Sequence, residues 1–172
     1  SGAELYVDGV FVSTLAANGA AGDWLLDPQN VLIQDDGGTI SPSTIEASLA
    51  SNNMTVETGI GGNFTLTVAS PIQYAGSTER TLTLASTGRM DISADISSSI
   101  APLNLVLASE LDRAAGADFT GMGTGVVFTD TDIATAGGDV WGGGGTLSGT
   151  WNGHTGGVGA AMGGENNWIG IS

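Results

Sequence analysis

The chain has no cysteine and no lysine, and its only bases are Arg80, Arg89, Arg113 and a single histidine, His154. Without cysteine there is no disulfide framework, so stability must come from a packed core and backbone hydrogen bonds. That fits either a reducing compartment or a bacterial exoprotein held by hydrogen-bond ladders; the missing lysine points, by association, to the latter. With so few bases the surface repels nucleic acid and anionic lipid. No apolar run approaches the roughly 18 residues that span a membrane, and no signal peptide opens the chain. Four prolines, and no glycine at every third position, exclude collagen.

What is present is glycine, acid and short apolar runs. Glycine supplies 29 of 172 residues, and 18 Asp and Glu bring the formal net charge to −15. Strand-rich folds with many tight turns use glycine this way, because it tolerates positive φ. The acidity favours solubility and attracts divalent cations. At 41% hydrophobic residues the chain is no disordered tail, and its length suits one domain with a sizeable core.

A short phrase recurs: Leu66-Thr-Val-Ala-Ser70, Leu82-Thr-Leu-Ala-Ser86 and Leu105-Val-Leu-Ala-Ser109. Each copy alternates apolar with small or polar residues, as half-buried strands do. Two interleaved strand series emerge. The first is Met54–Thr58, Leu82–Ser86 and Leu105–Ser109; the second is Phe64–Ile72, Met90–Ile96 and Val126–Ile133. The steps from Leu66 to Met90, from Val56 to Leu84 and from Leu84 to Leu107 are similar in length but not equal. Such unequal steps predict a stacked, solenoid-like β architecture of irregular coils with insertions. Residues 110–124 read as one insertion.

Asp8-Gly9 predicts a tight turn between strands within residues 4–15. Residues 42–50 are the one convincing helix: Ser41 as cap, Pro42 in the first position, Ile45 and Leu49 on one face, and Asn52-Asn53 ending it. Residues 137–164 are glycine-rich, yet Trp141, Trp151 and Trp168 punctuate the tail, so residues 141–172 are expected to form terminal coils of ordered strands. The chain starts and stops inside strand-like text, so residues 1–172 are expected to be one segment of a longer exoprotein.

The text Gly22-Asp-Trp-Leu-Leu-Asp-Pro28, Val31–Ile33, a short helix, Asn52-Asn53-Met-Thr-Val56 and Gly62-Asn-Phe-Thr-Leu-Thr-Val68 resembles the filamentous-haemagglutinin family. Arg80-Thr-Leu-Thr-Leu84, Pro102-Leu-Asn-Leu-Val-Leu107 and Ile133-Ala-Thr-Ala-Gly-Gly-Asp-Val140 continue in that style, so the resemblance covers roughly residues 22–150. These are large bacterial exoproteins exported by two-partner secretion or as autotransporter passengers. The resemblance implies an all-β fold, a right-handed parallel β-helix, at the bacterial cell surface. It implies adhesion to host cells, glycans or neighbouring bacteria, with no catalytic residues. No amino-terminal secretion domain and no toxin domain is recognisable.

Several residues invite chemistry. His154 as a catalytic base would need an orienting acid and a nucleophile; Ser and Asp are plentiful but no GxSxG elbow is present, so an exposed turn is its simplest role. Asp130 and Asp132 in the Thr-Asp-Thr-Asp run fall on one strand face by alternation, where their carboxylates suit a hard cation such as calcium. Asp91 and Asp95, near Arg89 and Arg113, offer the paired acids of a β-helix polysaccharide lyase or hydrolase. Asn53-Met-Thr55 and Asn63-Phe-Thr65 are glycosylation sequons. Thr65-x-Thr67 and Thr81-x-Thr83 suggest the threonine rows of ice-binding solenoids, though ordinary strand usage explains them. Trp24 reads as core. Trp151 and Trp168, in Gly- and Asn-rich surroundings, are the sugar-binding candidates of a lectin-like module. The reading preferred overall is a non-catalytic adhesin segment, both rigid stalk and binding surface.

Overall fold

The computed structural model describes residues 7, 9–10, 22–59, 62–109, 125–138, 140–143, 147–151, 154–155 and 167–169. Among them stands one helix, α1 (Pro42–Leu49), set early in a series of strands. Before it come β1 (Asp23–Leu26) and β2 (Val31–Ile33). After it follow β3 (Asn53–Glu57), β4 (Leu66–Val68), β5 (Ile72–Tyr74), β6 (Arg80–Ala85), β7 (Met90–Ile92), β8 (Ile96–Ser98) and β9 (Leu103–Ala108). The remainder are β10 (Val126–Thr131), β11 (Ile133–Ala134), β12 (Val140–Gly143), β13 (Leu147–Trp151), β14 (His154–Thr155) and β15 (Asn167–Ile169).

The strands make three sheets, ordered β1-β3-β6-β9-β12-β15, β14-β13-β10-β7-β4-β2 and β11-β8-β5. Pairing is parallel, except that β15 and β14 run antiparallel to β12 and β13. Parallel neighbours need long crossovers, usually helical. Here the crossover from β3 to β6 is made of β4 and β5 in the other two sheets. Successive circuits therefore visit the three sheets in turn, and in the first circuit α1 precedes any strand of the third sheet.

Alternation places the core. Met54, Leu82, Leu105 and Val140 share one lateral row of the first sheet, and Val56, Leu84 and Leu107 the next. In the second sheet Leu66, Met90 and Val126 stack, as do Val68, Ile92 and Phe128. Ile72, Ile96 and Ile133 stack in the third. All of these are buried in one continuous cluster. Both predicted strand series thus appear as stacked rows, and the pairing register sets Leu66 against Met90, Val56 against Leu84 and Leu84 against Leu107. The recurring phrase divides differently. Its copies at 82–86 and 105–109 stack in the first sheet, but the copy at 66–70 begins in the second. The serine that closes each copy is buried where the strand ends, and the Ser86 hydroxyl donates to the Gly88 carbonyl at 2.7 Å.

The helix forms as its sequence dictates. Ser41 is extended and its side chain accepts the Thr44 N–H at 3.3 Å; Pro42 occupies the first turn; Ile45 and Leu49 are fully buried. The Asn52 amide closes the far end by donating to the Ser48 carbonyl at 3.1 Å. Gly9 is in a turn with φ +74°, and Val10 N–H donates to the Val7 carbonyl at 3.2 Å; Asp8 lies outside the described residues. The flanking strands expected within 4–15, the insertion at 110–124 and Arg113 lie outside the described residues. Trp24 is half-buried and packs against the core. The tail contributes β12 to β15, and no described helix is long and apolar enough to cross a membrane.

Candidate binding surface

Two of the candidate aspartates, Asp95 and Asp132, stand where the second sheet turns into the third. Asp91 lies on β7, half-buried, in an ion pair with Arg89. Asp95 and Asp132 hold equivalent places just before β8 and β11, because Ile96 pairs with Ile133. The Asp95 carboxylate accepts the Asp132 backbone N–H at 2.8 Å, and the Ile72 and Ile96 N–H groups donate to the carbonyls of Asp95 and Asp132. Asp95 therefore serves the corner, its carboxylate capping a backbone amide, while the Asp91 carboxylate meets a guanidinium beside its own strand.

Asp130 and Asp132 are both exposed, but not by simple alternation. Phe128 pairs with Gly149 and Thr131 with Trp151, so the register slips by one position, with the longer path on β10. The extra residue is absorbed at Asp130, whose φ is +46°. Such a bulge turns Thr129 and Asp130 outward together and returns Thr131 to the interior. A calcium ion takes six to eight oxygens, and among the described residues no group of three or more His, Cys, Asp and Glu converges.

The bulge leaves one mark inside. Thr131 is 1% exposed and its hydroxyl is the one buried side-chain polar atom among the described residues with no hydrogen-bond partner.

The tryptophan candidates separate. Trp151 stands opposite Thr131 on one side and His154 on the other, in the second sheet. Trp168 stands opposite Trp141 across the antiparallel β12–β15 pair of the first sheet. From sequence Trp141 is one of four tryptophans able to stack on sugars, with Trp151 and Trp168 preferred. Its only signal was being a third tryptophan in the tail, since a pairing between positions so far apart in the chain has no local signature.

The other motifs are placed as follows. Asn53 is half-buried in β3 and its amide oxygen accepts the Thr81 N–H at 3.0 Å, whereas Asn63 is exposed ahead of β4. Thr67 lies on β4 in the second sheet while Thr81 and Thr83 lie on β6 in the first, so the two threonine pairs do not share a face. Thr83 instead stacks on Thr55.

Searches among protein-family models, curated proteins and solved structures find no match to this chain.

Proposed function

We propose that this chain is a non-catalytic segment of a large secreted bacterial surface adhesin of the filamentous-haemagglutinin type. In this reading the three parallel sheets are the faces of a right-handed parallel β-helix, a solenoid that serves as rigid stalk and as binding surface for cells or glycans. The observation that carries it is the cyclic visiting of the sheets, with like side chains stacked in register over successive circuits. Each circuit buries its apolar row against the circuits beside it, and the ladders between them give stiffness along the stack. The sequence resemblance over residues 22–150 supplies the secretion and adhesion.

A β-helix polysaccharide lyase or hydrolase is the competing reading, favoured by the meeting of Asp95 and Asp132. Against it, the Asp95 carboxylate is engaged in holding the corner, where it accepts the Asp132 N–H. The test immobilises the full chain on beads and presents cells and a polysaccharide panel, with and without calcium. Attachment or binding without released oligosaccharide is expected. Released product that disappears in Asp91→Asn or Asp95→Asn would replace the adhesin with the enzyme. Attachment to neither cells nor glycans would remove the binding role and leave only a stalk.

A further inference from the structure

Strands paired in register stack their outward positions into lateral rows, just as they stack the core. One lateral row crosses the whole first sheet by register: Leu25, Thr55, Thr83, Val106, Trp141 and Trp168. Leu25 is 55% exposed, and Thr55, Thr83 and Val106 are half-buried, as side chains on an open sheet face are. Trp141 and Trp168 continue the row by register. Six strands at about 4.8 Å spacing make the row about 24 Å long. It contains no charged residue, in a chain of net charge −15. The matching row of the second sheet includes Asp91, and the third sheet offers Gln73, Ser97 and Ala134. Among the described residues, only the first sheet joins an uncharged row to two neighbouring aromatic positions.

We propose that this row is a platform for an uncharged glycan chain lying across the strands, with Trp141 and Trp168 as its aromatic end. The proposal rests on the adhesin reading and names the ligand class and residues of that surface. The row's length calls for an extended ligand. The acidic field repels uronates, sulfated sugars and phosphates, and the row holds no cation to offset that repulsion. A neutral pyranose combines an apolar C–H face with peripheral hydroxyls. The row's residue types match both, with tryptophan at two adjacent register positions and threonine at two more. Alongside runs a second row of Asp23, Asn53, Thr81 and Asn104, where Asn53 Oδ1 already accepts the Thr81 N–H and Asn104 Nδ2 donates to Glu79.

The test titrates the full chain with neutral hexasaccharides of glucose, xylose and mannose, and with an oligogalacturonate, by calorimetry and tryptophan fluorescence. At least one neutral hexasaccharide should bind and the acidic oligomer should not. Trp141→Ala and Trp168→Ala should each weaken binding about tenfold or more. Thr83→Glu, mid-row and remote from the tail, should do the same with an unchanged circular dichroism spectrum, and Ser97→Glu on the third sheet should bind like the parent. Binding undiminished in Thr83→Glu and both tryptophan variants would overturn the platform while leaving the adhesin intact. So would absence of neutral-sugar binding in a chain that still attaches to cells. Concentration-dependent dimerisation that Thr83→Glu abolishes, without any sugar binding, would assign the row to a second copy of the chain and overturn the proposal.

Discussion

At the residue scale the buried Thr131 hydroxyl is the one buried side-chain polar atom without a partner among the described residues. A buried hydroxyl without a partner costs about 1–3 kcal/mol, and an apolar residue of the same shape avoids that. Thr131→Val is therefore expected to stabilise the chain by about 1 kcal/mol, read as a higher denaturant midpoint at unchanged slope. A lower midpoint would show that the hydroxyl has a partner in solution. The defect was not legible from sequence. Strict alternation from Val126 and Phe128 puts Asp130 inside and Thr131 outside. The structure inverts both, because a buried carboxylate costs far more than the local bulge that turns Asp130 out. Ala136 and Gly137 are a similar local departure, with φ of +52° and +88° in the turn before β12.

At the scale of elements, the third sheet shows how an open strand edge is protected. β5 is its first strand, and an unpaired edge invites association. Helix α1 packs beside it, and the Glu46 carboxylate accepts the Gln73 N–H at 2.6 Å. Arg80 ties down the helix end by donating from Nε to the Leu49 carbonyl at 2.9 Å, which suits a cation at a helix C-terminus. Glu46→Ala leaves that edge amide without its acceptor, and it is expected to cost about 1 kcal/mol and speed exchange at the Gln73 amide. Exchange at Gln73 as slow as in the parent would mean that the helix alone shields the edge. The helix itself was legible, from its cap, its proline and the Ile45–Leu49 spacing, since these are local signals. Its docking beside β5 was not, because that depends on a contact between Glu46 and Gln73, with the whole of β3 and β4 between them in the chain.

Across the whole molecule the sheets differ in how their ends are closed. At one end β14 and β15 reverse direction against β13 and β12. At the other, the second sheet is sealed by its own loop: Thr39 N–H donates to the Leu32 carbonyl at 2.7 Å while the Thr39 hydroxyl accepts the Leu32 N–H at 3.0 Å. Gly38 permits this approach, since a Cβ there would stand 2.8 Å from the carbonyl oxygens of Leu32 and Gln34. The outer edge of β1 has no described strand against it. Hydrogen exchange should accordingly be slowest in β6, β7, β9 and β10, which have two or more strands on either side, and fastest in β1. Uniform protection from β1 to β9 would contradict that gradient.

The alternation of apolar residues, and their recurrence from Val56 to Leu84 to Leu107 and from Leu66 to Met90, determined which side chains face inward and in what register they stack, because facing is a local property of an extended chain. Only the tertiary structure decided which sheet each strand joins. It brought Asp95 beside Asp132 and set Trp141 opposite Trp168. Strand neighbours are chosen by the path of the chain through its turns, and by burial against residues far away in sequence, neither of which a single strand's pattern encodes.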